Sequence, residues 1–213
     1  MQHIVLIGDS IIDNAPYVMA GHTVTDYLTR KIDDSIKITR LARDGDVTEG
    51  AMEQLSRLPE DCTDIVISVG GNDALKYSSV LSSKVNTVAE AMDAFACIKE
   101  EFKFNYLCVL NEALDNENIN VVVMTIYNNV PGLPDAERTA LALFNEVILD
   151  VALGLGLKVI DLRHVCHLEE HYSPVSPIEP SEDGGDAITD VLVNALELPN
   201  NSAKRKTMAR VYS

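Results

Sequence analysis

Residues 4–10 read IVLIGDS, so four branched apolar residues precede a glycine, an aspartate and a serine. An unbroken apolar run of this kind is typical of a strand buried on both faces. A serine directly after such a strand lies at the carboxyl edge of the sheet, where open α/β proteins carry their chemistry. The segment by itself fits equally well a plain turn in which Asp9 and Ser10 only stabilise the backbone.

Short β-branched runs alternate with longer amphipathic stretches along the rest of the chain. Besides the first strand, the pattern predicts strands at residues 35–41, 64–69, 120–127 and 158–161. It predicts helices at residues 15–32, 47–58, 85–114, 135–153 and 182–196. Repeated strand-helix order favours a parallel sheet of about five strands with helices on both faces. We expect one domain over residues 1–198, followed by a basic, solvated tail over residues 199–213.

The composition limits the class of partner. The chain has 213 residues, of which 46% are hydrophobic, enough for one well-filled core. Its 33 acidic and 17 basic residues give a net charge of -16, so nucleic acid and anionic membranes would repel it. We find no apolar run of about 20 residues and no signal peptide. We therefore expect a cytoplasmic protein with a small-molecule partner and no membrane span, and the composition leaves a homo-oligomer open.

Three predicted strands end in turns whose polar groups suit acyl transfer. Ser10 follows the first strand, Gly45 lies in the loop after the second, and Asn72 follows the third within the segment GGND. Parallel strands bring these ends together at one edge of the sheet. A serine nucleophile there needs donors about 3 Å from the developing oxyanion, and the N–H groups of Ser10 and Gly45 with the Asn72 amide would supply them. We expect Asp9 and Asp73 to border the same pocket.

The segments GDS at residues 8–10 and GGND at residues 70–73, with Gly45 between them, resemble the blocks of the SGNH, or GDSL-like, hydrolase family. GDS alone is common, whereas the two motifs together, each after a buried strand, are specific. The resemblance implies a three-layer, flavodoxin-like α/β/α sandwich, with Ser10 as nucleophile and Ser10, Gly45 and Asn72 as oxyanion hole. It also implies an esterase, lipase, thioesterase or carbohydrate-ester deacetylase that needs no metal or organic cofactor.

The fourth block of that family is different in this chain. The family carries Asp, two residues, then His followed by Pro, whereas this chain has Ser176 and Glu179 at the aligned positions and no histidine beyond His171. Glu179 could accept the serine proton if burial raises a pKa that is normally near 4. Alternatively, His171 or His164 supplies the base, with Asp161 or Glu179 as orienting partner. Otherwise the chain is a catalytically weakened member of this fold that serves as a binding or assembly module.

The segment HLEEH at residues 167–171 matches the H-x-x-E-H pattern of zinc peptidases. In those enzymes two histidines at helical spacing bind the metal and the glutamate acts as base. Pro174 follows closely and limits any helix, and we identify no third ligand in the sequence. We therefore interpret the segment as a solvated polar turn and predict no metal site.

Overall fold

Five parallel strands form the sheet of the computed structural model, which describes residues 2–198. They are β1 (His3–Gly8), β2 (Lys37–Arg40), β3 (Asp64–Ser68), β4 (Asn120–Met124) and β5 (Lys158–Ile160). Their order across the sheet is β2-β1-β3-β4-β5. Each strand overlaps its predicted range, and the parallel arrangement confirms the predicted fold class. The expected tail over residues 199–213 lies outside the described residues.

Helices connect the strands and cover both faces of the sheet. They are α1 (Val24–Lys31), α2 (Thr48–Leu55), α3 (Gly71–Lys76), α4 (Val88–Ala113), α5 (Asp135–Gly154), α6 (Leu162–Val165) and α7 (Glu182–Ala195). Short 3-10 turns occupy Ala15–Tyr17, Ser78–Ser82 and Glu169–His171. Within residues 2–198, no helix combines the length and the apolar character that crossing a membrane requires.

Alternate residues of β1 contribute to two separate cores, one on each face of the sheet. Ile4 and Leu6 pack with residues of α1 and α7, whereas Val5 and Ile7 pack with residues of α2, α4 and α5. All four side chains are buried, and each burial contributes about 1.5–3 kcal/mol. The first strand shows no polar alternation because helices cover both of its faces. The result is a three-layer α/β/α sandwich.

The first helix is shorter than predicted because a capping box sets its start. The predicted range is 15–32, but α1 begins at Val24. The Thr23 hydroxyl accepts a hydrogen bond from the Asp26 N–H, and the Asp26 carboxylate accepts one from the Thr23 N–H at 2.9 Å. In the predicted range before Thr23, only Ala15–Tyr17 are helical, as the 3-10 turn that contains Pro16.

The GGND segment is a turn followed directly by a helix, and the sequence predicts only the turn. Gly70 has a φ of +129°, and a Cβ at this position would lie 3.0 Å from Cζ of Phe102. Both features favour glycine. Helix α3 begins at Gly71, so Asn72 lies in its first turn.

Candidate active site

Gly8 allows the chain to turn sharply between β1 and Ser10. Its φ of +139° is in the region that favours glycine, and a Cβ there would lie 1.8 Å from the Ser68 carbonyl oxygen. The Asp9 N–H donates to that carbonyl at 3.1 Å, and the Asp9 carbonyl in turn accepts from the Ile12 N–H at 3.1 Å. These contacts hold Ser10 at the carboxyl edge of the sheet.

Ser10 lies at the polar end of a cleft. This end is bordered by Asp9, Ser10, Gly71, Asn72 and Glu179. The other lining residues are mostly apolar and come from α3, the 78–82 turn, α4, α5 and the loop after β4. Concave sites with mostly apolar walls and a few convergent polar groups are typical of binding sites for small organic molecules.

Glu179 lies beside Ser10 and is buried, with 5% of its surface exposed. Burial raises the pKa of its carboxyl to about 7; a hydrogen bond with the Ser10 side chain lowers this pKa and the Asp44 carboxylate raises it. Within residues 2–198, Glu179 Oε2 has no hydrogen-bond partner. A carboxyl with this pKa has a proton affinity close to that of an imidazole, and it is partly ionised at neutral pH.

The loop that carries Glu179 is fixed by hydrogen bonds around that residue. The Tyr127 hydroxyl donates to the Ile178 carbonyl at 2.7 Å. The Glu179 carbonyl accepts from the Ser173 N–H at 2.8 Å, and the Glu179 N–H donates to the Ser176 carbonyl at 3.0 Å. These contacts restrict the backbone on which the Glu179 carboxyl is carried.

The three predicted oxyanion-hole residues follow the neighbouring strands β1, β2 and β3. Within residues 2–198, the backbone N–H groups of Ser10 and Gly45 donate to no protein acceptor. The Asn72 amide donates to the Asp46 carbonyl at 3.1 Å, and its second N–H remains for a substrate oxygen. Ser10 and Asn72 both line the cleft. Gly45 is exposed and does not line it.

The two aspartates expected to border the pocket differ in their position relative to the cleft. Asp9 lines the cleft and accepts from the Ile11 N–H at 3.1 Å, and burial raises the pKa of its carboxyl well above the usual value. Asp73 accepts from the Thr48 hydroxyl at 2.7 Å, at the start of α2. Asp73 is not among the lining residues, so the structure corrects that expectation. Its side chain on α3 is directed towards α2, where it caps the helix.

Neither histidine considered as the base lines the cleft among the residues that the structure describes. His171 is buried, and burial lowers the pKa of its imidazole. The His164 side chain is 70% exposed and lies 3.7 Å from Asp161. The Asp161 carboxylate already pairs with Arg163 at 2.6 Å. The structure therefore brings Glu179, and neither histidine, to Ser10.

The H-x-x-E-H segment ends in the 3-10 turn Glu169–His171. The rings of His167 and His171 pack edge to face, with centroids 5.6 Å apart. Because His171 is buried, the segment is not the fully solvated turn that we expect from the sequence. In the described part of the chain, no three or more His, Cys, Asp or Glu side chains are grouped so that they could hold a metal ion.

Gln54 on α2 supports the site, although the sequence pattern does not single it out. Its amide oxygen accepts from the Gly8 N–H at 2.7 Å, and its amide nitrogen donates to the Gly8 carbonyl at 2.9 Å. The same nitrogen donates to the Asp46 carboxylate at 2.7 Å, next to Gly45. Gln54 therefore ties the end of β1 to the loop after β2. A signal exists in the sequence, since a glutamine beside Ala51 on the apolar face of a helix needs buried polar partners.

The chain is similar to known esterases and lipases. A model described as the GDSL-like Lipase/Acylhydrolase family matches residues 6–186. A lipase/acylhydrolase from Enterococcus faecalis has a TM-score of 0.67 and 21% identity, over 95% of this chain and 100% of that chain. The lipase Lip_vut3 from a goat rumen metagenome has a TM-score of 0.71 and 19% identity, over 92% and 97% of the two chains.

An acetyl xylan esterase from Geobacillus stearothermophilus also has a similar structure. Its TM-score is 0.65 at 13% identity, over 92% of this chain and 95% of that chain. No curated protein sequence matches the chain at a significant level. At these identities the structural likenesses establish the fold.

Proposed function

The chain belongs to the GDSL-like lipase/acylhydrolase family, and we propose that it is a serine hydrolase that cleaves a small carboxylic or thio ester through Ser10. Membership of this family supports hydrolysis of the esterase and lipase type. The observation that carries the proposal is the position of the buried Glu179 at the same end of the cleft as Ser10, where burial raises the pKa of its carboxyl to about 7. In this proposal Glu179 performs the task of the family's histidine.

In the first half of the reaction, Ser10 Oγ attacks the carbonyl carbon of the ester while its proton moves to the Glu179 carboxylate. The carbonyl oxygen becomes an oxyanion, which the Ser10 N–H and the Asn72 amide stabilise. When the tetrahedral intermediate collapses, the bond to the leaving group breaks and Glu179 returns the proton to that group. The products of this half are acyl-Ser10 and an alcohol or thiol.

In the second half, a water molecule attacks the acyl-Ser10 carbonyl and gives its proton to Glu179. Collapse releases the carboxylic acid and returns the proton to Ser10 Oγ. A group that serves in turn as base and acid works best when its pKa lies near the operating pH, as the Glu179 value of about 7 does. The pKa of Asp9 is raised well above its usual value, which favours the neutral form of that carboxyl.

Labelling with a fluorophosphonate probe tests the proposal. We expect the probe to react with Ser10 and to add one phosphonyl group to the peptide that contains it, because Glu179 activates this hydroxyl. Mass spectrometry of the digested protein locates the label. Ser10→Ala should remove it, whereas Ser83→Ala, at an exposed serine outside the cleft, should keep it. A folded protein with an unlabelled Ser10 would favour a binding or assembly module.

Replacement of the oxyanion donor should slow the chemical step. We expect Asn72→Ala to lower kcat by roughly 10²-fold with a small change in KM, since the amide stabilises charge that exists mainly in the transition state. Steady-state kinetics on p-nitrophenyl butyrate measure both constants. Thermal unfolding controls for the lost contact with the Asp46 carbonyl. A normal kcat with a lowered Tm would mean that Asn72 only braces its turn.

A further inference from the structure

Two of the three predicted oxyanion donors lie at the polar end of the cleft. Ser10 and Asn72 line this end, whereas Gly45 is exposed and lies outside the lining. An oxyanion is stabilised by donors that are already directed at the position where its charge develops. Another donor at this end of the cleft would therefore take the role that the sequence predicts for Gly45.

The Asp9 carboxyl reaches from the Ser10 turn to the start of α3. Asp9 lines the cleft and directly precedes Ser10 in the chain. Its Oδ1 accepts from the Ile11 N–H at 3.1 Å, which closes a turn around Ser10. A Cβ on Gly71 would lie 3.7 Å from its Oδ2, and Gly71 directly precedes Asn72. One oxygen of the carboxyl therefore belongs to the Ser10 turn, and the other lies beside the segment that carries Asn72.

The Asp9 carboxyl is buried without a cationic partner. Only 2% of the surface of Asp9 is exposed. Within residues 2–198, the side chain has one hydrogen bond to another residue, the bond from the Ile11 N–H, and no ion pair with a lysine, arginine or histidine. An ionised carboxyl in this position would be a buried charge without a counter-ion, which is costly in free energy. The surroundings therefore favour a carboxyl that keeps its proton.

The titratable groups that face Asp9 are carboxyls, Glu179 on its loop and Asp73 on α3. Burial raises the pKa of Asp9 well above its usual value; the Ile11 N–H lowers this pKa, and the Glu179 and Asp73 carboxylates raise it. Glu179 borders the same end of the cleft with a pKa of about 7. Two carboxyls that share one site resist ionising together, so one can act as base while the other remains neutral.

We propose that the Asp9 carboxyl is the third oxyanion donor, keeping its proton on Oδ2 and donating a hydrogen bond to the oxyanion beside the Ser10 N–H and the Asn72 amide. The inference rests on the proposed function, because it takes Ser10 as the nucleophile. Oδ1 continues to accept from the Ile11 N–H, since a protonated carboxyl both donates and accepts. The proton stays on Asp9 throughout, and Glu179 alone exchanges protons with Ser10, the leaving group and water.

Two substitutions of Asp9 separate hydrogen-bond donation from support of the turn. In Asp9→Asn, the amide oxygen can still accept from the Ile11 N–H and the amide nitrogen can donate in place of Oδ2, whereas Asp9→Ala removes both groups. With p-nitrophenyl butyrate, we expect Asp9→Ala to lower kcat about 10²-fold with a small change in KM. Asp9→Asn should keep kcat within about threefold of the native value. A normal kcat in Asp9→Ala, or equal losses in the two variants, would overturn the inference.

The alkaline side of the pH profile is a readout that support of the turn would not change. Beyond the plateau above pH 7, kcat/KM of the native protein should fall as Asp9 loses its proton and its carboxylate repels the oxyanion. Asp9→Asn has no proton to lose at this position and should keep the plateau rate. Asp73→Asn is the matched control, because Asp73 is a buried carboxyl that does not line the cleft, and it should keep the alkaline fall.

An alkaline fall that persists in Asp9→Asn, after subtraction of the buffer rate, would overturn the inference. This comparison decides the question even if Asp9→Ala protein does not fold, since it needs only the native protein and Asp9→Asn.

Infrared difference spectra detect the Asp9 proton without catalysis. At pH 8, the spectrum of the native protein minus that of Asp9→Asn should contain the C=O band of one protonated carboxyl. Absence of this band in folded proteins would overturn the inference. A native protein that hydrolyses no ester overturns the proposed function and this inference with it. Hydrolysis that requires Ser10 but no donor at Asp9 overturns the inference alone.

Discussion

Ser10→Ala protein should hydrolyse p-nitrophenyl butyrate at least about 10⁴-fold more slowly than the native protein, with the residual rate close to that of buffer. The reason is that Ser10 carries the hydroxyl at the end of the cleft where Glu179 lies, so its loss removes both the nucleophile and the proton that the base accepts. Release of p-nitrophenol under saturating substrate measures the effect. No acyl intermediate can form on an alanine.

The fold of this variant should remain intact. The Ser10 side chain supports no part of the core, and the turn around it is held by the contact between the Asp9 N–H and the Ser68 carbonyl. We therefore expect Ser10→Ala to keep the native circular dichroism and a Tm within a few degrees of the native value. Ser83→Ala provides the matched control for activity. Hydrolysis that survives in folded Ser10→Ala protein would remove Ser10 as the nucleophile.

Much of the fold can be predicted from the sequence because its signals are local. The run at residues 4–7 is apolar at every position since helices cover both faces of β1, and that pattern alone indicates a buried parallel strand. The glycines at positions 8 and 70 are required where the backbone has a positive φ and approaches another segment closely. Local rules therefore place the turns that carry Ser10 and Asn72.

The contacts between these turns cannot be read from the same patterns. Gln54 joins Gly8 to the Asp46 carboxylate only because α2 packs across the end of β1. Asp73 is adjacent to Asn72 in sequence, yet the first turn of α3 directs it to Thr48. Both cases depend on how a helix is oriented against the sheet, which periodicity does not determine. The cleft beside Ser10 has the same origin, since its apolar walls come from helices that are distant in the chain.

Which residue acts as the general base also depends on tertiary structure. An isolated glutamate has a pKa near 4.3 and accepts a proton poorly at neutral pH. Glu179 is buried beside the Ser10 turn, on a loop that the Tyr127 hydroxyl holds through the Ile178 carbonyl. This burial raises the pKa of Glu179 to about 7. Burial lowers the pKa of His171, which does not line the cleft. Sequence alone leaves both residues as candidates, whereas burial and contact with Ser10 favour the carboxylate.

Glu179→Gln should lower kcat/KM at least about 10³-fold, because an amide cannot accept the Ser10 proton. In the native protein kcat/KM should rise with pH through about 7 and level off above it, since the base must be ionised. His171→Ala is the control, because His171 does not line the cleft, and it should keep this profile. Loss of activity in His171→Ala, with a weak effect of Glu179→Gln, would assign the base to the histidine.

Glu179→Gln should lower activity but raise the free energy of unfolding at high pH. A buried carboxyl whose pKa is raised on folding prefers to be protonated, so the native free energy of unfolding should fall as pH rises from about 4.5 to about 7. Glu179→Gln lacks this decrease and should be more stable than the native protein above pH 7. Denaturation at pH 5 and pH 8 measures the difference. If Glu179→Gln protein is inactive but more stable at high pH, then the ionised Glu179 carboxylate lowers the free energy of unfolding of the native protein and is also required for catalysis.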